Sequence, residues 1–513
     1  MSASAARTGS GPTAPPVVAV VGAGIAGLSA AWELCGGSAG RSDDGRAPEV
    51  VVLEAQGRPG GKLRSTDFDG RRVDLAADAF LARRPEATGL CEELGLGDEL
   101  VAPGESGASV LARGRLRPLP AGLHLGIPTR LGPLVGSGMF SPAELARAAL
   151  DIVVPRIRAH PVLGDASVGT LVGERLGRAV VDRLVGPLLG GINAGDPDQL
   201  SAAATVPVLL AAASQSGSLM HRLGQAGARA AARPSELGAT QHADGPPPPV
   251  FWSLRSSTAS LVDALDGALA GRGVTRHLNS AVERLERVGD RWRLHLAPGS
   301  EAGDHVDADG VVVAVPAAPA ATLLRPHAPA AADLLDGVEY ASVTVVTLGI
   351  SGAHPATPLT GTGFLVPRSE AVGGRPALVT GCTYLSRKWP HLHRDGELLV
   401  RASTGRAGDA RPDQLDDDEL VTAVSAELAE ILGTGPLAPD ALVTRWANAL
   451  PQCRPGHLLR VARIEEAVAQ IPAVAVAGAA YRGVGVPACV GSGRAAARRV
   501  RAAVASRPEP VER

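Results

Sequence analysis

Apolar residues in this chain gather in two kinds of run. The first kind is short, continuous and mostly β-branched: VVAVV at 17–21, VVVL at 50–53, VVVAV at 311–315, ASVTVVTL at 341–348 and LLVRA at 398–402. Runs of this length and make-up predict buried strands. The second kind repeats every three or four residues. LSAAWEL at 28–34 is one; Val180, Val181, Leu184, Val185, Leu188 and Leu189 form another, on one face of a helix. Helix starts are marked as well. Ser141-Pro142-Ala143-Glu144 is a capping box with proline at the first helical position, and Ser167 caps a further stretch. Pro155 is expected to end the first of these helices. Residues 111–209 therefore read as largely helical, and 215–249, running into GPPPPV, as a polar loop or linker.

Two of the strand-like runs break into glycine. Gly22-Ala23-Gly24-Ile25-Ala26-Gly27 follows the first, and a helix, a glycine-rich exposed loop, a second strand and Glu54 come next. In that order G-x-G-x-x-G is a dinucleotide fingerprint. Gly22 permits the tight turn, Gly24 lets the backbone approach a pyrophosphate, and Gly27 lets helix meet strand. The helix N-terminus faces the phosphates, and Glu54 accepts from a ribose. A structural turn without a ligand is the plainer alternative. A P-loop is excluded: three residues separate Gly57 from Gly61, and Leu63 follows Lys62. The second glycine-broken strand is AVAVAGAAYRGVG at 473–485, close to the other end of the chain.

Composition narrows the class. With 513 residues, the chain has room for about three globular units. A net charge of −2 offers nothing to nucleic acid. The five cysteines are odd in number and lack C-x-x-C spacing, so neither a disulfide framework nor a zinc site is expected, and a reducing, cytoplasmic setting fits. Residues 1–16 lack the apolar core of a signal peptide and read as a disordered tail. The richest apolar stretch, LSAAATVPVLLAAAS at 200–214, is too short to span a membrane and carries Pro207. Aromatic residues are 3%, so a large flat ligand would be held by aliphatic side chains and backbone. His391 and His393 stand too isolated to hold a metal, and none is expected. There is no strand-to-helix G-x-S-x-G elbow and no H-E-x-x-H, so no catalytic residue is named.

The glycine pair in LEAQGRPGGK, just after the second strand, resembles the amine-oxidase-like FAD superfamily. DLAADAFLARRPE, VGPLLGGINAGDPDQLS, GFLVPR, SRKWPHL, RWANALPQC and AYRGVGVPACVGSGRAA then follow in the order seen in bacterial porphyrinogen oxidases. The chain is most similar to the coproporphyrinogen III oxidase branch, with protoporphyrinogen IX oxidase as the sister activity. The resemblance implies an α/β fold, α+β in the substrate part. A discontinuous Rossmann-type FAD domain (17–90, 250–320, 440–505) would join a substrate-binding domain (91–110, 210–249, 321–439) and a helical insertion (111–209). The C-terminal strand would return beside the N-terminal one, and Val484, Gly485 and Val486 would open a helix toward the flavin.

The same resemblance implies the site. Gly22–Gly27 (with Ala23, Ile25 and Ala26) would hold pyrophosphate, Glu54 and Ala55 the adenosine ribose, and Lys62 the phosphate or flavin loop. Ala76, Ala77, Asp78 and Ala79 would meet the flavin edge, Val282 the adenine and Trp446 the flavin region. Ala76 stands where the family has glycine, and Asn193 where it has an aromatic residue. The cofactor would be non-covalent FAD. The reaction would be the six-electron oxidation of coproporphyrinogen III, in three two-electron rounds. Each round would move a hydride from a bridging carbon to flavin while a pyrrole nitrogen loses a proton. Molecular oxygen would then be reduced to hydrogen peroxide. Other haem-synthesis enzymes are further candidate partners.

Four substrate propionates call for cations. Arg83, Arg84 and Lys388 are the candidates, against the alternative of solvated surface charge. Gly191 and Asn193, in the GGIN turn, either offer carbonyls to pyrrole N–H groups or simply cap a helix. Gly363 and Leu365 either wall the pocket or pack the core. Rival readings are protoporphyrinogen IX oxidase, another amine-oxidase-like flavoprotein, and a porphyrin-binding flavoprotein without turnover.

Overall fold

The computed structural model describes residues 15–37, 47–153, 164–232, 249–352 and 355–506. Pro155, residues 1–14 of the predicted tail and residues 233–248 of the expected linker lie outside them. The continuous apolar runs form a parallel sheet in the order Thr275–His277, Glu49–Leu53, Val17–Val21, Gly310–Val313, Val474–Val476. Its middle strands are buried on both faces, as a sheet covered on both sides requires. The C-terminal strand therefore joins the sheet of the first strand, but not beside it. Gly310–Val313 lies between, its register set by Asp309, whose carboxylate accepts the Val17 N–H at 2.8 Å.

Helices Ile25–Leu34 and Val486–Ala505 cover one face of this sheet. They cross at backbone contact: a Cβ on Gly493 would stand 2.0 Å from the Ala26 carbonyl oxygen. The other face carries the Val282–Val288, Arg291–Leu296, His305–Ala308 meander and the helices Ala317–Leu324, Pro329–Asp336 and His457–Ala469.

The helical block differs from expectation at both ends. Ser109–Ala112 and Arg115–Pro118 form a hairpin instead of helix, turning at Arg113 and Gly114 with φ of 56° and 70°. That pair of positive φ angles suits a two-residue hairpin turn. At the other end Leu219–Ala232 is a helix inside the stretch read as a loop. Leu219, Met220 and Leu223 bury one side of it, but the alanine and glycine that follow dilute the periodicity. Between these ends the predicted caps are in place. Ser141 and Glu144 exchange backbone hydrogen bonds at 2.7 and 3.3 Å, and Ser167 accepts from Thr170 N at 3.1 Å. Residues 178–193 run as one rod with a wider π-turn at Val181–Val185.

A mixed seven-stranded sheet completes the fold, in the order Asp440–Pro451, Tyr340–Ser351, Glu397–Thr404, Val379–Tyr384, Gly363–Leu365, Ser109–Ala112, Arg115–Pro118. Strand alternation gives it two characters. Val346, Leu348, Phe364, Tyr384, Val400 and Ala402 pack on the Asp417–Leu432 helix. Val345, Leu365, Thr383, Arg401 and Ser403 point the other way and roof a deep cleft.

Candidate active site

The cleft begins where the strand order of the parallel sheet reverses. Strands Glu49–Leu53 and Gly310–Val313 flank Val17–Val21 on opposite sides, so a crevice opens at the carboxyl end of the first strand. This is the switch point at which such sheets bind ligands. Gly22 turns there with φ +100°, and a Cβ on it would stand 2.7 Å from the Ala314 oxygen. A Cβ on Gly27 would lie 1.9 Å from the Gly22 oxygen, whereas one on Gly24 would meet nothing within 4 Å. The first and third glycines are thus required by the protein's own backbone, and the second faces open cleft. Ala23 sits behind the turn, with Ile25 and Ala26 on the lining. Glu54 closes the second strand. Its carboxylate accepts Ala23 N–H at 2.7 Å and Gln56 N–H at 2.9 Å, which holds the glycine turn against the neighbouring strand end. Ala55 and Val282 line the same end of the cleft. Lys62 also borders it, and burial lowers its pKa.

A second helix N-terminus opens onto the cleft from the far end of the chain. Val484, Gly485 and Val486 line it, and the Val486–Ala505 helix has no side-chain cap on its first turn. Opposite lie Ala76, Ala77, Asp78 and Ala79, with Trp446 alongside, its indole N–H donating to the Leu75 carbonyl at 2.9 Å. The cleft has a volume of about 3650 Å³, several times the roughly 300–1,000 Å³ of a drug-sized site. A dinucleotide and a second large ligand fit together. The cradle free of side chains at Gly24, the two helix N-termini, the carboxylate at the strand end and Lys62 suit the dinucleotide.

Charge on the chamber wall centres on Asp78, which is 8% exposed. Its Oδ2 accepts from Lys388 Nζ at 2.9 Å and from the Trp389 indole at 2.8 Å, and its Oδ1 meets the Arg401 guanidinium at 2.9 Å. Burial alone would raise the carboxyl, but Arg401 and Lys388 outweigh it and hold Asp78 far below the usual carboxylate range. Lys388 and Arg401 thus face two carboxylates, Asp78 and the nearby Asp74. Asp74 ends the Arg71–Asp74 strand just before Asp78. Burial pushes it up to about 6, against hydrogen bonds from the Thr258 amide and hydroxyl.

The candidate substrate residues separate. Arg83 lines the cleft and has no hydrogen-bond or ion-pair partner among the described residues. Arg84 turns to Glu86 at 2.8 Å, away from the cleft lining. Lys388 reaches the lining, but its ammonium is engaged by Asp78. Gly191 borders the chamber inside the last turn of its helix, which Ala194 caps with φ +49°. Asn193 is buried off the cleft, where its own carbonyl accepts from Gln452 at 2.9 Å. Leu365 is on the chamber wall. Gly363 is behind it, pressed onto Cys382 so closely that a Cβ would stand 2.1 Å from that residue's oxygen.

A family model described as flavin containing amine oxidoreductase matches residues 25–501. The chain belongs to that family.

This flavin oxidoreductase is 36% identical over 520 residues to a coproporphyrinogen III oxidase of Propionibacterium freudenreichii, covering 96% of this chain and 92% of the relative. It is 32% identical over 480 residues to that of Bacillus subtilis, covering 93% and 96%. A solved structure from Exiguobacterium sp. 255-15, provisionally assigned as a protoporphyrinogen oxidase, superposes with a TM-score of 0.79 at 30% identity, covering 96% of this chain and all of that one. The cofactor is FAD. Pattern reading passed over Arg401, which lines the cleft, and Asp74, whose carbonyl accepts from it at 3.0 Å. Arg401 left a trace: one cation inside LLVRAS, on the opposite strand face from Val400 and Ala402. Among the described residues no cluster of three or more metal-ligating side chains occurs, and no helix is long and apolar enough to cross a membrane.

Proposed function

We propose that this flavin oxidoreductase oxidises coproporphyrinogen III to coproporphyrin III, with oxygen as the acceptor and hydrogen peroxide as the by-product. One observation carries the reading: the dinucleotide crevice continues without a break into an apolar chamber large enough for a tetrapyrrole, in a chain similar over nearly its whole length to coproporphyrinogen III oxidases. Six electrons and six protons leave the macrocycle, and three oxygen molecules become three hydrogen peroxides. FAD, when bound, supplies the two-electron acceptor for each round. The protein's part is placement. Leu188, Ile192, Leu365 and Val345 offer aliphatic walls that exclude water from the ring. The Asp78–Arg401–Lys388 cluster fixes two cations at the wall, and Arg83 offers a bidentate fork to a propionate. Glu54, Lys62 and the helix turns at Gly24 and Gly485 hold the cofactor. Attachment is non-covalent: the AYRGVG stretch at 480–485, where flavin-tethering amine oxidases carry a cysteine, has none.

The similarity to a structure assigned as a protoporphyrinogen oxidase favours protoporphyrinogen IX as the second reading. Measuring kcat/KM for both porphyrinogens, with peroxide quantified, decides between them. A higher value for coproporphyrinogen III and three peroxides per product are expected. A higher value for protoporphyrinogen IX would exchange the two readings, and failure to oxidise either would leave a porphyrin-binding flavoprotein.

A further inference from the structure

The helix that ends at Asn193 has two lined faces. Leu188, Gly191 and Ile192 border the cleft, while Gly186, Pro187 and Gly190 border a separate cavity of about 290 Å³. The neighbouring strand divides in the same way, with Leu365 on the cleft and Val366 on the cavity. The cavity's charged lining is Arg178, Arg368, Arg406, Asp182 and Asp196.

These charges are paired unevenly. Arg178 is committed to Asp182 at 2.7 Å and to both oxygens of Asp198 at 2.7 and 2.6 Å. Arg368 donates to the Ala407 carbonyl at 3.0 Å. Asp196 spends one oxygen on the Asp198 amide at 2.9 Å. Asp409, the other acid near Arg406, is held by Arg411 through contacts of 2.8 and 2.7 Å. The Arg406 side chain has no hydrogen bond or ion pair among the described residues, and its Nε is buried without a partner. Arg406 is thus the guanidinium of this lining left without a direct partner, with Arg368 beside it. A buried guanidinium N–H without a partner is costly, and native proteins satisfy nearly all such groups.

We propose that this cavity is a binding site for a small oxyanion, a phosphate or carboxylate group received by the fork of Arg406 with Arg368 as the second cation. The fork geometry matches two oxygens of either group. At about 30 Å³ per water, the volume holds roughly ten waters, enough for such an anion and its hydration and far too little for a tetrapyrrole.

Calorimetric titration of the FAD-loaded protein tests this, with inorganic phosphate in one arm and succinate in the other, at constant ionic strength set by chloride. FAD keeps the dinucleotide crevice from competing for phosphate. One saturable site per chain is expected, with Arg406→Gln weakening the dissociation constant by about tenfold or more and leaving the flavin spectrum unchanged. Arg368→Gln should weaken it less, and it serves as the test variant if Arg406→Gln does not fold. Tighter binding of phosphate than of succinate identifies a phosphate source; the reverse order identifies a carboxylate. Absence of saturable heat with both anions overturns the proposal, as does an unchanged dissociation constant in both variants.

Discussion

Asp78→Asn tests whether the charged cluster on the chamber wall is held by its single anion. The substitution keeps the shape of the side chain and removes its charge. Asp78 engages Lys388, Trp389 and Arg401 at 2.8–2.9 Å, with side-chain exposures of 15% for Lys388 and 9% for Arg401. Breaking a buried pair from one side costs about 3–5 kcal/mol, because the remaining charge is left in a poor solvent. Some of this is recovered: Arg401 keeps the Asp74 carbonyl at 3.0 Å, and Lys388 lies 5.0 Å over the Trp389 ring. The expected loss is about 3 kcal/mol, or a fall of roughly 1 M in the urea midpoint at a slope of about 3 kcal/mol per molar. Arg401→Met should cost less, because Lys388 and Asp78 remain a matched pair. Urea unfolding of the FAD-loaded protein followed by tryptophan fluorescence reads both. Asp290→Asn is the control: its carboxylate is 99% exposed, and the change should stay within about 0.5 kcal/mol. If Asp78→Asn matches the control, or costs less than Arg401→Met, Asp78 is not what holds the cations in place.

Three further outcomes follow from the geometry. Glu54→Gln should raise the FAD dissociation constant by about tenfold or more, read by fluorescence titration, because a charged acceptor at the strand end is lost. Arg83→Ala should raise KM for coproporphyrinogen III by roughly three- to thirtyfold with kcat little changed, while Arg84→Ala, whose partner is Glu86, should leave KM alone; equal effects would remove Arg83 from substrate binding. Asp74, pushed up to about 6 by burial, holds its proton more tightly folded than unfolded, where its pKa is about 3.9. Its contribution therefore makes stability fall as pH rises from about 4 to 6 and then level off, and Asp74→Asn should remove that part of the pH dependence of the urea midpoint.

Much of the cofactor end is legible along the chain because its requirements are local. A strand, a turn that only glycine can make, a helix and an acid at the next strand end lie within 38 residues of one another, from Val17 to Glu54. Backbone sterics at Gly22 and Gly27 leave little choice of residue there. The Ser141 and Ser167 caps are readable for the same reason. The hairpin at Ser109–Pro118 and the helix Leu219–Ala232 were not, because the hydrophobic partners that hold them come from elsewhere in the chain.

The sequence by itself therefore determined the dinucleotide crevice, the strand-forming runs and the resemblance that points to a flavoprotein. Only the tertiary structure decided which cations reach the chamber. Arg83 and Arg84 are neighbours in sequence, yet one lines the cleft and the other turns to Glu86. Asp78 lies hundreds of residues before Lys388 and Arg401, yet meets both within 2.9 Å. Such a cluster leaves no periodic trace, since each member is a single charge at one position of its own element. What joins them is low-dielectric burial, which makes an unpaired charge expensive and draws opposite charges together across the fold.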